Sequence, residues 1–221
     1  MMGRIMERKR FHVLTMAAFC LFSLGASMAQ STGAPAVQTT LTAEERAAAL
    51  KSLQATHDAF LQSISGLSEK QWTFKPAPDR WSIAEVSEHI TVSEGMILQL
   101  VQSKIMTGPA TPEKRAEVKV TDVKILTLIP DRSHKVQAPD FLKPTGRFAT
   151  REETVKAFEQ ARKTTMDYVQ TTNDDLRDHF APHPMLGMMD AYQYILLISA
   201  HSERHTKQIE EVKADPGFPK E

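Results

Sequence analysis

Three segments of the sequence begin with the same helix-start signature, and this repetition restricts the chain to a helical fold. Thr42, Ser82 and Thr150 are each followed three residues later by a glutamate, which is the spacing of a capping box. Apolar residues then recur at intervals of three and four, as on a helix that buries one face. A fourth segment with this period occupies about residues 189–214. Four long amphipathic helices and no alternating strand pattern predict an all-α protein, folded as a four-helix bundle.

The helix boundaries follow from the capping residues and from the prolines and glycines between the helices. The predicted helices cover about residues 43–65, 82–106, 150–171 and 189–214. Residues 67–80 are expected to be a connection, because two prolines prevent regular helix there. Residues 109–149 form a much longer connection, in which residues 118–129 fit either a short helix or an extended stretch. A loop at 181–187 precedes the last helix.

The first thirty residues have the three parts of a secretory signal peptide. A basic stretch at residues 4–10 precedes a mostly apolar run at 11–25, and Ser27 and Ala29 supply the small residues of a cleavage site. An uncleaved anchor is the alternative, but the apolar run is shorter than the roughly 20 residues that a membrane helix needs. We therefore expect cleavage after Ala29 and a periplasmic or secreted protein.

This interpretation divides the chain into a signal peptide (1–29), a flexible linker (30–41), the bundle (42–214) and a C-terminal tail (215–221). The one cysteine, Cys20, lies within the signal peptide, so the mature chain has no thiol. A cysteine nucleophile, cysteine-ligated zinc and an iron–sulfur cluster are thereby excluded. Because the formal net charge of the chain is zero, neither nucleic acid nor, after cleavage, a membrane is an expected partner.

The last predicted helix contains the strongest chemical signal, a pair of histidines four residues apart, His201 and His205. Residues at this spacing share one helical face. Here that face is the apolar stripe formed by Tyr194, Ile198, His201, His205, Ile209 and Val212. Buried imidazoles need hydrogen-bond partners or a metal, because an unsatisfied buried polar group is costly. The spacing alone fits either a pair of core or surface histidines or two ligands of one metal ion.

A third histidine, His89, lies one turn into the second predicted helix, at the edge of its apolar stripe. Three histidines from two facing helices would form a metal site in the core of a bundle. Such a set leaves a fourth coordination position for water or substrate, as in catalytic zinc sites. Periodicity alone leaves open whether His89 faces the pair on the last helix.

Two sequence motifs resemble those of the DinB-like metalloprotein superfamily. The segment WSIAEVSEHI, residues 81–90, resembles its second-helix motif, which ends in a metal-binding histidine. Residues 186–189, together with 200–209, resemble its closing motif, a glycine-containing turn followed by His-x-x-x-His and Gln-Ile. The resemblance covers about residues 43–214 and implies a four-helix bundle with a long crossover, which suits the connection at 109–149.

Carried over to this chain, the resemblance implies that His89, His201 and His205 bind one divalent metal ion, either zinc, nickel or iron. Some relatives transfer low-molecular-weight thiols such as bacillithiol, or isomerise with mycothiol, and relatives often form homodimers. The expected function is an exported metalloprotein that acts on a small-molecule substrate as a metal-dependent hydrolase or thiol transferase. Export argues against thiol transfer, since those thiols are cytosolic. The alternative is a non-catalytic, stress-related or ligand-binding bundle with a structural metal.

The sequence also suggests roles for four other residues near the predicted site. Glu85 either completes the capping box with Ser82 or orients a ligand imidazole. Glu88 and Glu203 are expected to face solvent, and Trp81 is expected to cover the end of the bundle near the metal. No residue stands out as a dedicated general base.

Overall fold

A computed structural model of the chain describes residues 40–220. The four long helices within this range are α1 (Ala43–Ile64), α3 (Ile83–Leu100), α5 (Arg151–Thr171) and α6 (Ala191–Lys213). The shorter elements are α2 (Glu69–Thr73), α4 (Asp122–Leu128), and strands β1 (Phe180–His183) and β2 (Gly187–Asp190). A π-helical turn, Val101–Ile105, extends α3, and 3-10 turns occupy Pro112–Glu117 and Asp140–Leu142.

The four long helices form a bundle in which each packs against two others. Helices α1 and α3 both pack against α5 and α6, so that α1 lies diagonally opposite α3. The chain crosses from the π-helical end of α3 to the start of α5 through residues 106–150, and α4 within this crossover packs against α6. The predicted four-helix bundle with a long crossover is therefore confirmed, and it makes α3 and α6, the helices that carry the three candidate ligands, direct neighbours.

Two of the three predicted capping boxes form completely. The side chains of Thr42 and Ser82 accept from the third helical N–H, and the glutamate at that position accepts from the N–H of the capping residue. At the start of α5 only half of the box forms. Thr150 accepts from the Glu153 N–H, but the Glu153 carboxylate accepts from the N–H of Ala149 instead, at 2.8 Å.

The structure corrects three expected boundaries. Residues 67–80 are not entirely a connection, because Ser68 and Gln71 form a capping box that starts α2 before the two prolines. The expected loop at 181–187 belongs to an antiparallel hairpin of β1 and β2, so the fold is helical with one small strand pair. Gly187, the first residue of β2 after the turn, adopts φ +74°, a conformation that favours glycine. Helix α6 consequently begins at residue 191, after an Asp190 cap.

The crossover residues 118–129, which fit either a short helix or an extended stretch, contain helix α4. Its N-cap is Thr121, whose hydroxyl accepts from the N–H of Lys124. Ile125 is fully buried, which fixes α4 against α6.

The interior of the bundle consists of two apolar clusters separated by a polar layer. Leu53, Leu98, Val169 and Ile198 belong to one cluster, and Phe60, Ile90, Phe158 and Ile209 to the other. Between them lies a buried hydrogen-bonded set with a member from each long helix, namely Thr56, Glu94, Arg162 and Ser202. His89 lies between the buried residues Val86 and Ile90, which places it level with the second cluster.

Two expectations concern the N-terminal part of the chain. The predicted signal peptide at 1–29 and most of the predicted linker at 30–41 lie outside the described residues, and both stay predictions. Within residues 40–220, no helix combines the length and apolar character that crossing a membrane requires.

Candidate metal centre

The three predicted ligands converge at the contact between α3 and α6. The ligand nitrogens of His89, His201 and His205 all lie within 4.8 Å of one another. Nε2 of His89 is 3.2 Å from Nε2 of His201. The ring centroids of His201 and His205 are 4.4 Å apart, as expected for residues one turn apart on a shared face. The bundle thus brings together the three side chains that the sequence singled out.

His89 is held by the crossover. Its side chain is buried, and its Nδ1 lies 2.9 Å from the carbonyl oxygen of Leu142. A carbonyl accepts hydrogen bonds only, so Nδ1 carries the proton and donates it to Leu142. Nε2 then keeps its lone pair on the side that faces His201. A backbone carbonyl that fixes the tautomer in this way is a common partner of metal-binding histidines.

His205 is oriented from within its own helix. Its Nδ1 lies 2.8 Å from the side-chain oxygen of Gln208, three residues further along α6. With the amide oxygen as acceptor, Nδ1 is the donor, and Nε2 of His205 is left free to bind a metal. Arg132 donates to the same amide oxygen at 3.4 Å, which favours this orientation of the Gln208 amide.

All three imidazoles are biased toward the neutral form that binds metals. Burial lowers the pKa of His201 to about 3, assisted by the positive charges of His89 and Arg204. Burial also lowers the pKa of His89, against a smaller raising effect of the Leu142 carbonyl. The pKa of His205 lies well below its usual value, through burial first and then the neighbouring His201 and His89. Near neutral pH the cluster therefore presents uncharged nitrogen donors.

The geometry of the donors fits a divalent metal ion. Two tetrahedral zinc–nitrogen bonds of about 2.0–2.1 Å would place their nitrogens roughly 3.3 Å apart. The His89–His201 separation of 3.2 Å is close to this value. Imidazole donors suit zinc, nickel and iron alike, so the donor set specifies the class of metal and leaves its identity open.

The indole of Trp81 forms one wall of the cluster. Its ring centroid is 5.0 Å from that of His89 and 6.5 Å from that of His205, on which it stacks. Trp81 is expected to cover the end of the bundle near the metal, and these distances place it beside two of the three candidate ligands. His201 and His205 retain partial exposure, whereas His89 is enclosed.

The structure corrects the expectation for Glu88, which is buried instead of facing solvent. Its carboxylate accepts from the backbone N–H groups of Thr145, Gly146 and Arg147 and from the Arg147 guanidinium. Burial raises the pKa of Glu88, but these four donors together lower it below its usual value. The crossover loop covers this face of α3, and helical periodicity alone carries no information about a segment so far along the chain.

The glutamates Glu85 and Glu203, and the histidine of α1, lie outside the cluster. Glu85 caps its own helix through Ser82 and pairs with Lys75 at 2.9 Å, which supports the capping role over the orienting one. Glu203 is partly exposed and pairs with Lys207. His57 hydrogen-bonds Asp58 and stacks on Phe158, away from the three histidines.

Sequence reasoning missed two residues that orient the ligands. Gln208 follows His205 by three positions and so shares its helical face, and that spacing is a signal that could have identified it. Leu142 contributes only a backbone carbonyl, for which residue type carries no signal.

Known proteins resemble this chain in sequence and in fold. The uncharacterized protein YuaE of Bacillus subtilis is 25% identical over 150 residues, which cover 68% of this chain and 88% of that protein. The structure of YfiT from Bacillus subtilis, described as a probable metal-dependent hydrolase with an unusual four-helix bundle topology, superposes with a TM-score of 0.53. This match covers 81% of this chain and 92% of YfiT at 13% identity, and it supports the fold.

The family assignment rests on a longer match. The model of the DinB superfamily matches residues 27–209, which include all three histidines, helices α1, α3 and α5, and most of α6. Because this match extends over well more than half of its length, the chain belongs to the DinB superfamily.

Proposed function

We propose that the protein is a metal-dependent hydrolase that holds one divalent ion through His89, His201 and His205 and acts on a small molecule. The observation that carries the proposal is the convergence of three imidazoles whose ligand nitrogens lie within 4.8 Å of one another. Two of them donate Nδ1–H to a fixed acceptor and so direct Nε2 into the cluster.

The chemistry of the site divides between the ion and the chain. When bound, a divalent ion at three protein ligands supplies a Lewis acid with a coordination position left for water or substrate. The chain holds the ligands in neutral form through burial. Trp81 and the Leu142 segment shield the cluster on the His89 side, whereas His201 and His205 remain partly exposed. We infer that a substrate approaches from the side of these two histidines.

Hydrolysis is favoured over thiol transfer by two considerations. The fold relative YfiT is described as a probable metal-dependent hydrolase. The predicted signal peptide at residues 1–29 would remove this chain from cytosolic thiols. We therefore also propose export with cleavage after Ala29, which the intact mass of the protein recovered from its native host would test. A full-length chain in the cytosol would contradict export but would leave the metal-site proposal unaffected.

A structural metal in a non-catalytic bundle is the second candidate. The observation that favours it is the enclosure of His89, which is 2% exposed beneath the crossover. A structural ion would leave the protein without an exchangeable coordination position. Binding of a small anion such as azide to the cobalt-substituted protein, followed through the visible spectrum, separates the two candidates. A spectral change supports an open position, and an unchanged spectrum supports a closed structural site.

The metal content of histidine variants tests the ligand assignment. We expect about one divalent ion per chain in the wild-type protein and far less in His89→Ala, His201→Ala and His205→Ala. His57→Ala and His134→Ala are matched controls, because neither side chain belongs to the cluster, and both variants should leave the metal content unchanged. Full metal content in a folded His89→Ala variant would refute the three-histidine site. A screen of ester, amide and phosphoester substrates on the loaded protein then tests hydrolysis.

A further inference from the structure

Two residues that immediately precede metal ligands bind the same stretch of crossover. Glu88 precedes His89 on α3, and Arg204 precedes His205 on α6. Glu88 binds residues 145–147, and Arg204 binds the carbonyl oxygens of Ile129, Asp131 and His134. Residues 129–147, here called the strap, are thus tied at both ends to the helices that carry the ligands.

The Glu88 end of the strap has every carboxylate oxygen engaged. One oxygen accepts from the N–H of Thr145 at 2.8 Å and from the Arg147 guanidinium at 2.7 Å. The other accepts from the N–H groups of Gly146 and Arg147, at 2.8 and 3.2 Å. Gly146 adopts φ +77°, which lets three consecutive N–H groups turn toward one carboxylate. Hydrogen bonds to a charged acceptor are stronger than neutral ones, so this contact defines the path of the loop.

The loop that Glu88 binds is the loop that orients His89. Leu142, whose carbonyl accepts from Nδ1 of His89, lies three residues before Thr145. The Arg147 guanidinium links the two parts, because it bonds both Glu88 and the carbonyl of Lys143, the neighbour of Leu142. The contacts of Glu88 with residues 145–147 are here called the Glu88 clamp. The position of the Leu142 carbonyl therefore depends on this clamp.

We propose that Glu88 is a positioning residue of the metal centre, which acts through the strap to fix the tautomer and orientation of His89. The proposal rests on the proposed metal binding by His89, His201 and His205. Without the clamp, Leu142 is released and Nδ1–H of His89 loses its acceptor. Loss of such an outer partner typically weakens metal binding about 10- to 100-fold. Arg204 supports the opposite end of the strap and contacts carbonyl groups only.

Metal affinity of folded variants tests the proposal. Glu88→Ala should bind Zn²⁺ about 10- to 100-fold more weakly than the wild type in competition with a chromophoric chelator. Glu88→Gln keeps one acceptor oxygen, so its Zn²⁺ affinity should lie between those of Glu88→Ala and the wild type. Glu203→Ala is the matched control. This glutamate of α6 lies two residues before His205, but its carboxylate forms an ion pair with Lys207 and makes no contact with the strap. Arg147→Ala, an alteration at a partly exposed side chain, provides a second test if Glu88→Ala does not fold.

A second measurement separates positioning from general stabilisation. In the wild-type protein, ¹⁵N spectra should show the proton of His89 on Nδ1, whereas Glu88→Ala should show a mixture of tautomers. Linkage is reciprocal, so Zn²⁺ should also slow hydrogen exchange at the amides of residues 145–147 in the wild type. Wild-type affinity in both folded Glu88→Ala and Arg147→Ala would overturn the positioning role alone. A wild-type protein without metal affinity would overturn the proposed function, and with it this role.

Discussion

The guanidinium of Arg162 and the carboxylate of Glu94 form a two-point ion pair in the centre of the bundle. Nε lies 2.5 Å and one terminal nitrogen 2.8 Å from the two carboxylate oxygens, and both side chains are essentially without solvent exposure. The other N–H groups of Arg162 bond Thr56, Ser202 and the Leu53 carbonyl. Five donors thus meet five acceptors, so the buried charge is fully satisfied.

The first prediction concerns the removal of one partner of this pair. Glu94→Ala leaves Arg162 charged and unpaired inside the protein, and breaking a buried pair in this way costs about 3–5 kcal/mol. We expect a loss of that size in the free energy of unfolding, measured by urea denaturation. Replacing both residues by methionine removes the unpaired charge, and the double variant should recover most of the loss. Equal destabilisation in the single and double variants would contradict the argument.

The second prediction concerns Ser93, one turn beyond His89 on α3. Its hydroxyl is buried and lacks a hydrogen-bond partner among the described residues. An unsatisfied buried polar group costs about 1–3 kcal/mol, and alanine has the higher helix propensity. Ser93→Ala should therefore be neutral or stabilising in urea denaturation. Ser202→Ala is the matched contrast, because it removes an acceptor of Arg162 and should destabilise by about 1–3 kcal/mol. Destabilisation by Ser93→Ala would indicate an unrecognised partner.

Local signals in the sequence predicted those parts of the fold that depend on neighbouring residues. The caps at Thr42 and Ser82 involve residues three apart, and the His201–His205 face follows from the helical period. Residues that act across long sequence separations could not be predicted in this way. Glu88 and its partners are 57 to 59 residues apart, and Arg162 is 68 residues from Glu94.

The resemblance supplied the one long-range relationship that periodicity left open. Helical spacing placed His89 at the edge of a stripe, and only the family motif paired it with the last helix. The structure agrees, because α3 packs directly against α6. The acceptors of His89 and Arg204 are backbone carbonyls at Leu142 and at residues 129–134, where residue type says little about hydrogen bonding.

The third prediction concerns the pH dependence of the metal-free protein. Burial lowers the pKa of His201 to about 3, and it also lowers the pKa values of His89 and His205. In the unfolded chain the histidine pKa is about 6.5. Above that pH the three histidines are neutral in both the folded and the unfolded state, so they do not reduce the free energy of unfolding. As pH falls below 6.5, the histidines of the unfolded chain bind protons while those of the folded chain stay neutral. The free energy of unfolding therefore decreases. Each histidine contributes at most about 1.4 kcal/mol per pH unit.

Urea denaturation of chelator-treated protein at pH 7.5, 6.5, 5.5 and 4.5 measures this dependence. His201→Gln removes one of the titrating groups and should give a shallower decline below pH 6.5 than the wild type. Ser93→Ala is the control, because it alters a buried side chain of α3 without removing a titrating group, and its decline should parallel that of the wild type. A wild-type stability that stays constant from pH 7.5 to 4.5 would contradict burial of neutral imidazoles.

The last prediction concerns the coupling of metal to folding. The ligands come from α3 and α6, so the complete set exists only when these helices are packed together. An ion that binds the folded chain alone stabilises it by RT ln(1 + [L]/Kd), or about 2.7 kcal/mol at a hundredfold excess over Kd. Zn²⁺ should therefore raise Tm of the wild-type protein by several degrees relative to the chelator-treated sample. In His205→Ala the two samples should melt together, because the remaining pair binds the ion weakly, whereas His134→Ala should retain the wild-type difference. Identical melting of wild-type protein with and without bound Zn²⁺ would mean that the ion does not bridge the two helices, since a bridging ion must be lost when they separate.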